Sequence, residues 1–118
     1  MYQRGEVWWV DLDPTIGNEM KKLRPVVVIG RDDVGRLPLR VVVPMTTWQA
    51  PFERWPWMVK IDPTPQNGLE ATSGADTFQV RSVSVERFRT RAGVLSRADL
   101  RAVTEALVRL VGWEEDGP

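Results

Sequence analysis

The sequence predicts a mainly β domain with helical additions: a small barrel of strands followed by one C-terminal helix. A length of 118 residues allows one hydrophobic core. Apolar runs of strand length, rich in Val and Trp, recur through the first half of the chain, whereas apolar positions near the C-terminus repeat at helical spacing. No repeat, linker or low-complexity tract divides the chain, so we expect a single domain over residues 1–118.

The first strand is expected at residues 6–12, EVWWVDL, which are dense in residues that favour β-structure. Asp13-Pro14 and Gly17-Asn18 then break the strand. Residues 13–23 form a polar loop that is longer than a hairpin requires, and loops of this length in compact domains are often binding loops.

Three further strands are expected in the first half of the chain, at residues 25–30, 39–46 and 57–61. The first two are unbroken apolar runs, which are typical of strands covered on both faces. Pro44 indicates an edge position or a bulge near the end of its strand. Residues 48–57, with three Trp and two Pro, give no clear prediction.

The second half gives weaker strand signals at residues 75–83, one short helical turn at 84–88 and a last strand at 90–95. Ser96 lies three residues before Asp99, as in a helix cap. Apolar residues then recur at helical spacing over about four turns, and an acidic tail at 114–118 follows. This amphipathic helix carries Leu100, Val103, Leu107, Leu110 and Val111.

The composition narrows the chemistry, because the chain contains no His and no Cys. It therefore has no imidazole base, no thiol nucleophile, no disulfide and no zinc ribbon. Catalysis would depend on carboxylates, hydroxyls, Lys, Arg, the single Tyr2 or backbone amides. No apolar run reaches the length of a membrane span and no signal-peptide pattern is visible, so we expect a cytoplasmic protein.

Charge is zero in sum but uneven along the chain, since residues 21–60 carry eight basic and three acidic side chains. This basic block opens inside the long loop, in the run Glu19-Met-Lys-Lys-Leu-Arg24-Pro25. Pro25 biases Arg24 towards an extended backbone, which would direct its guanidinium from a rigid strand end and suit a phosphate. A solvated charge cluster is the alternative interpretation.

Two other groups of residues are candidates for binding. Thr46 and Thr47 end the third strand, where they are either ordinary strand residues or donors of hydrogen bonds to a phosphate. Trp48, Trp55 and Trp57 lie between prolines and either belong to the core or offer stacking surfaces to unpaired bases or a partner peptide.

Taken together, several segments resemble the MazF/PemK (Kid-like) toxin endoribonucleases. These are RGEVWWVDLDPT at 4–15, GNE at 17–19, RPVVV at 24–28, VPMTT at 43–47, Gly68-Leu69, Ser73 with Gln79, and a helix ending near Trp113. The resemblance implies an SH3-like barrel of about five to seven strands that works as a homodimer without a metal or other cofactor. It further implies cleavage of single-stranded RNA or mRNA within short sequences, and neutralisation by a cognate antitoxin.

Matched by motif, the catalytic arginine of that family falls on Arg24, its active-site threonine on Thr46 and a loop glutamate on Glu19. Asn18, Thr47 and Gln79 fall where relatives contact RNA, and Lys21 of the basic loop is a further candidate for RNA binding. The expected reaction is attack by the 2′-hydroxyl, which yields a 2′,3′-cyclic phosphate. Two positions depart from the pattern, with Phe78 in place of the usual acidic residue and Asn18 in place of Ser or a similar small residue.

Two alternatives stay open on the sequence. One is a non-enzymatic toxin on the same barrel that binds DNA gyrase, as the CcdB relatives do, through the C-terminal helix and Trp113. The other is a protein-binding module whose groove is formed by the tryptophans.

Overall fold

The computed structural model describes residues 1–33, 35 and 37–112, and that part of the chain forms seven β-strands, three short 3-10 helices and one α-helix. The strands are β1 (Glu6–Asp11), β2 (Leu23–Val28), β3 (Leu39–Thr47), β4 (Met58–Ile61), β5 (Ser73–Asp76), β6 (Arg81–Ser84) and β7 (Phe88–Val94). The helix α1 spans Arg97–Leu110, and the 3-10 helices span Ala50–Arg54, Thr77–Gln79 and Val85–Arg87. The predicted fold class, mainly β with a C-terminal helix, is confirmed.

All strand pairs are antiparallel, and the order across the sheet is β4-β5-β3-β2-β1-β7, with β6 also paired to β3. The long strand β3 is therefore central. It pairs with β2 along one side and, along the other, first with β6 and then with β5. This change of partner divides the strands into two curved sheets that share β3.

Pro44 was expected at an edge position or a bulge; β3 is not an edge strand, but Pro44 lies at that change of partner, where the pairing on one side is interrupted. On one side of β3, pairing with β6 ends at Val42, and pairing with β5 begins at Met45. A proline has no N–H to donate, so it is tolerated in a central strand at the gap between two partners. On the other side, Pro44 stays in register with Val26.

Two apolar clusters form the core on the two faces of the strands. Alternation along β2 and β3 divides the residues: Val27, Val43 and Met45 belong to one cluster, and Val26 and Val42 to the other. The helix α1 covers the first cluster with its apolar stripe, of which Val103 is fully buried. The predicted cap is present, since the Ser96 hydroxyl accepts a hydrogen bond from the Asp99 backbone N–H at 3.1 Å.

The weak strand signal at residues 75–83 is in fact two strands, β5 and β6, separated by the 3-10 turn Thr77–Gln79. The predicted helical turn at 84–88 is confirmed as the 3-10 helix Val85–Arg87, and the last strand begins at Phe88. Residues 48–57, for which no structure was predicted, hold the 3-10 helix Ala50–Arg54, with Pro51 in its first turn.

No helix in the described residues is long and apolar enough to cross a membrane. Trp113 and the acidic tail at 114–118, which the sequence analysis singled out, lie outside the described residues.

The Glu6 carboxylate at the start of β1 carries a pH-dependent part of the stability. Burial disfavours its charge, but hydrogen bonds from the Trp8 indole and the Gln3 backbone, together with the Arg91 guanidinium, outweigh burial and hold the pKa of Glu6 below its usual value of 4.5. A group with a lowered pKa stabilises the fold above its unfolded pKa, and this contribution is lost as the pH falls through the folded value.

We therefore expect the free energy of unfolding of the wild type to fall faster below about pH 4.5 than that of Glu6→Gln. Urea titrations at a series of pH values measure this difference. Glu53→Gln is the matched control, because the exposed Glu53 carboxylate makes no hydrogen bond within the described chain. Equal acid sensitivity of the wild type and Glu6→Gln would contradict the prediction.

Candidate active site

Arg24 and Thr46 meet at the ends of two neighbouring strands. Val26 of β2 is paired with Pro44 of β3. Two residues further along the same antiparallel register, Arg24 lies opposite Thr46. The Arg24 guanidinium donates from one terminal nitrogen to the Thr46 hydroxyl at 3.3 Å, and from Nε to the Lys21 carbonyl at 3.1 Å. Sequence reasoning named these two side chains separately, and the fold brings them together.

This pair of hydrogen bonds orients both groups. The guanidinium is held by two acceptors, which leaves its remaining N–H donors available for a ligand. The Thr46 oxygen accepts from Arg24, so its own proton is available to donate. A fixed cation beside a free hydroxyl donor is suited to bind a phosphate.

The pair lines a cavity of about 170 Å³, here called the Arg24 cavity. Thr47, a candidate for RNA binding, also lines it. Residues of the segment between β4 and β5, including Glu70 and Ala71, form another part of its wall. Glu70 was missed by sequence reasoning, because it lies far from both Arg24 and Thr46 along the chain and belongs to none of the motifs used.

A second cavity of about 310 Å³, here called the Gln79 cavity, gathers the other polar candidates. It is lined by Asn18 and Glu19 of the long loop and by Phe78, Gln79, Val80 and Arg81. In the described chain, no hydrogen bond or ion pair joins Glu19 to Arg24 or Thr46. The Glu19 carboxylate instead accepts from the Ile16 backbone N–H at 2.6 Å, within its own loop.

Gln79 fastens the long loop to the body of the domain. Its amide oxygen accepts from the Met20 backbone N–H at 2.9 Å, and its amide nitrogen donates to the Asn18 carbonyl at 3.0 Å. The base of the loop is held by further donors from the body, since Arg81 donates to the Leu12 carbonyl and Arg87 to the Asp11 and Asp13 carbonyls. Lys21, the remaining candidate, is exposed on this loop.

Asp76 organises the 3-10 turn that presents Gln79. Its carboxylate accepts from the Phe78 backbone N–H at 3.0 Å and also bonds to the backbone of Gln79. Burial raises the pKa of Asp76 above its usual value, although these two hydrogen bonds act in the opposite direction. This role was not predictable from the sequence, because an isolated aspartate in a weak strand signal has no recognisable pattern.

The three tryptophans of residues 48–57 belong to a continuous aromatic row. The row, defined here as Trp48, Phe52, Trp55, Trp57 and Phe78, joins neighbouring rings with centroids 5.0 to 5.5 Å apart. Phe52 is buried, whereas Trp55 is 38% and Phe78 62% exposed, so the row has both core and surface members. In residues 1–33, 35 and 37–112, no three acidic side chains are grouped so that they could hold a metal ion.

Comparisons with known proteins identify the family of the chain. A family model described as the PemK-like, MazF-like toxin of type II toxin-antitoxin systems matches residues 3–111. The chain is 36% identical over 113 residues to endoribonuclease MazF9 of Mycobacterium tuberculosis, which covers 91% of this chain and 93% of that protein. It is 31% identical over 105 residues to endoribonuclease EndoA of Bacillus subtilis, with 89% and 90% covered.

Solved structures share the fold. MazF from Deinococcus radiodurans matches with a TM-score of 0.78 at 20% identity, over 94% of this chain and 96% of that one. An endoribonuclease from a mycobacterial species, solved in complex with its cognate antitoxin, matches with a TM-score of 0.75 at 17% identity, over 95% and 96%. The family match over nearly the whole chain confirms the resemblance seen in the sequence and does not favour the gyrase-binding alternative. The chain therefore belongs to the PemK-like, MazF-like toxins of type II toxin-antitoxin systems.

Proposed function

We propose that this chain is the toxin of a type II toxin-antitoxin system and acts as an endoribonuclease that cuts single-stranded RNA, mRNA included, within short sequences and without a metal ion. The observation that carries the proposal is the hydrogen bond between Arg24 and Thr46 in the wall of the Arg24 cavity. It fixes a cation and a hydroxyl donor where a phosphate can enter. The relatives MazF9 and EndoA are named endoribonucleases, which supports the same reaction class.

The reaction that fits these groups is attack of the RNA 2′-hydroxyl on the adjacent phosphate. It needs a proton acceptor for that hydroxyl, a stabiliser for the crowded phosphorane and a proton for the departing 5′-oxygen. Arg24 stabilises the developing charge, and Thr46 donates a hydrogen bond to a phosphate oxygen. The products are a 2′,3′-cyclic phosphate and a 5′-hydroxyl.

A cleavage assay on a pool of single-stranded RNA in EDTA tests this function. We expect cleavage to persist with the chelator, and the mapped ends to carry a 2′,3′-cyclic phosphate and to share a short sequence. A substrate with a 2′-deoxy sugar at the mapped position should resist cleavage. Arrest of gyrase without loss of RNA would instead support the gyrase-binding toxin, and neither effect would favour a protein-binding module.

The exposed Lys21 should contribute to RNA affinity through charge alone. Neutralising one phosphate on a single strand changes the slope of log K against log salt by about 0.7, so Lys21→Ala should make the slope shallower by about that amount. Fluorescence anisotropy with a 2′-deoxy-substituted oligonucleotide measures the slope. Arg101→Ala on α1 is the control, because Arg101 lines a separate depression with Arg4, near the opposite end of β2. An unchanged slope in Lys21→Ala would show that this lysine does not contact RNA.

We further propose that the toxin works as a homodimer in the cytoplasm and is inhibited by a cognate antitoxin laid over the RNA-binding face. Two structural neighbours from Deinococcus radiodurans are MazE-MazF structures, and the mycobacterial neighbour was solved with its antitoxin. The basic loop would attract an acidic antitoxin segment. Light scattering of the purified chain tests the dimer, and competition between an acidic antitoxin peptide and RNA tests occlusion.

A further inference from the structure

The proposed reaction requires a proton acceptor for the 2′-hydroxyl, and few side chains of this protein can serve. The chain has no His and no Cys. A guanidinium stays protonated near neutral pH, so Arg24 is a poor base. A carboxylate is therefore the natural acceptor, and its place in the structure decides which one acts.

Glu70 lies where such a proton acceptor is needed, in the wall of the cavity that Arg24 and Thr46 also line. Among the described residues that line the Arg24 cavity, Glu70 carries the one carboxylate. It makes no ion pair with Arg24 in that part of the chain, so its charge is not taken up by that guanidinium. Glu19 lines the other cavity and its carboxylate is hydrogen-bonded within the long loop.

The backbone around Glu70 is fixed on both sides. On one side, the Leu69 N–H is bonded at 3.0 Å to the side chain of Asn67, which is 1% exposed and also bonds Thr64 and Asp62. On the other, the Thr72 carbonyl accepts from the Trp48 N–H at 2.9 Å. These backbone hydrogen bonds hold the segment that carries Glu70 in the wall of the Arg24 cavity, and general-base catalysis requires a base kept close to the reacting groups.

We propose that Glu70 is the general base of the ribonuclease, an assignment that rests on the proposed function. The Glu70 carboxylate takes the 2′-hydroxyl proton as the 2′-oxygen forms its bond to phosphorus. The bond from phosphorus to the 5′-oxygen then breaks while Arg24 stabilises the phosphorane. A water molecule gives a proton to the departing oxygen, and the hydroxide so formed takes the proton from the Glu70 carboxyl, which restores the base. Glu19 acts by shaping the loop.

The test is the cleavage of one RNA oligonucleotide by the wild type, Glu70→Gln and Glu19→Gln. General-base catalysis typically contributes 10²–10⁴-fold, so Glu70→Gln should lower kcat by about 10²-fold or more with KM little changed. In Glu70→Ala, added formate should restore part of the rate. Glu53→Gln is the control for removal of an exposed carboxylate.

A Glu70→Gln enzyme that keeps the wild-type kcat overturns the assignment. A loss of kcat in Glu19→Gln alone, with added formate restoring part of the rate in Glu19→Ala, would make Glu19 the base. Failure of the proposed function looks different, because the wild type would then give no cyclic phosphate ends. Binding of the 2′-deoxy oligonucleotide by Glu70→Gln shows that the variant is folded and separates a chemical effect from a binding effect.

A second inference comes independently from the aromatic row. Its last ring, Phe78, is 62% exposed and forms part of the wall of the Gln79 cavity. Phe78 meets Trp57 edge to face at 5.4 Å, and Trp57 stacks on Trp55 at 5.5 Å, so the exposed ring is held by packed neighbours. Around it the cavity offers amide groups and the Arg81 guanidinium.

We infer that Phe78 stacks on an unpaired RNA base beside the cut site. An exposed ring beside the Asn18 side chain and the Arg81 guanidinium suits a nucleobase, which has a flat face and a hydrogen-bonding edge. The inference rests on the proposed function and makes Phe78 a determinant of sequence preference.

The measurement is affinity for a 2′-deoxy-substituted oligonucleotide across salt concentrations. Phe78→Ala should weaken binding roughly five- to a hundred-fold. The slope of log K against log salt should not change, since no phosphate contact is lost. Phe78→Trp keeps an aromatic ring and should retain the binding of the wild type. Leu37→Ala is the control. It also removes an exposed apolar side chain (69% exposed), but Leu37 precedes the start of β3, at the end of that strand away from Thr46. Unchanged RNA affinity in Phe78→Ala overturns the inference, and weaker binding of an antitoxin peptide alone would make the row a protein-binding surface.

Discussion

Replacing Arg24 by Ala should lower kcat for RNA cleavage by about 10²–10³-fold, the usual effect of removing one preorganised donor from a site of developing negative charge. The guanidinium is fixed by the Thr46 hydroxyl at 3.3 Å and the Lys21 carbonyl at 3.1 Å. It therefore needs little reorganisation when the phosphorane forms. Most of the loss should fall on kcat, because the interaction is strongest in the transition state.

Substitutions at both positions separate charge from geometry. Arg24→Lys keeps the charge but cannot donate to the Thr46 hydroxyl and a phosphate with the same planar fork, so we expect it to recover only part of the rate. Thr46→Ser keeps the hydroxyl and should stay active, whereas Thr46→Val keeps the shape and should not. Single-turnover cleavage of one oligonucleotide measures these variants together with Arg24→Ala and Thr46→Ala. If Arg24→Ala and Thr46→Ala both cleave at the unmutated rate, the site is elsewhere.

Much of this site follows from local sequence. The proline after Arg24 and the run of β-branched residues in β2 and β3 place Arg24 and Thr46 at strand ends, and the antiparallel register then makes them neighbours. The α1 cap and apolar stripe were equally visible, because Ser96 and the helical period depend only on nearby residues. Such features need no knowledge of distant parts of the chain.

Other parts depend on contacts across the chain and were not predictable. β5 reads Ser-Gly-Ala-Asp, which has low strand propensity, and forms because β3 and β4 pair with it on both sides. Pro44 is tolerated in a central strand because β3 changes partner there. Glu70 enters the Arg24 cavity because Asn67 and Trp48 hold its segment, and none of these three residues belongs to a motif with Arg24.

Gln79 shows how a residue predicted to bind RNA can have a different task. Both polar atoms of its amide are already bonded to the long loop, through the Met20 N–H and the Asn18 carbonyl. Contact between Gln79 and RNA stays a prediction. The observed hydrogen bonds lead to a second prediction, which is that Gln79 holds the long loop against the domain in the absence of RNA.

Gln79→Ala should therefore lower cleavage by up to about 10²-fold, because a small displacement of groups that position a substrate has effects of that size. It should also speed trypsin cleavage after Lys21 and Lys22 in the absence of RNA, since the loop loses two hydrogen bonds. Gln79→Glu can still accept from the Met20 N–H but cannot donate to the Asn18 carbonyl, so its effects should be intermediate. A residue that only contacts RNA would change RNA affinity without changing proteolysis of the free protein. Unaltered proteolysis in Gln79→Ala, together with weaker RNA binding, would contradict this prediction. It would show that Gln79 contacts RNA and that the hydrogen bonds from Arg81 and Arg87 hold the loop without it.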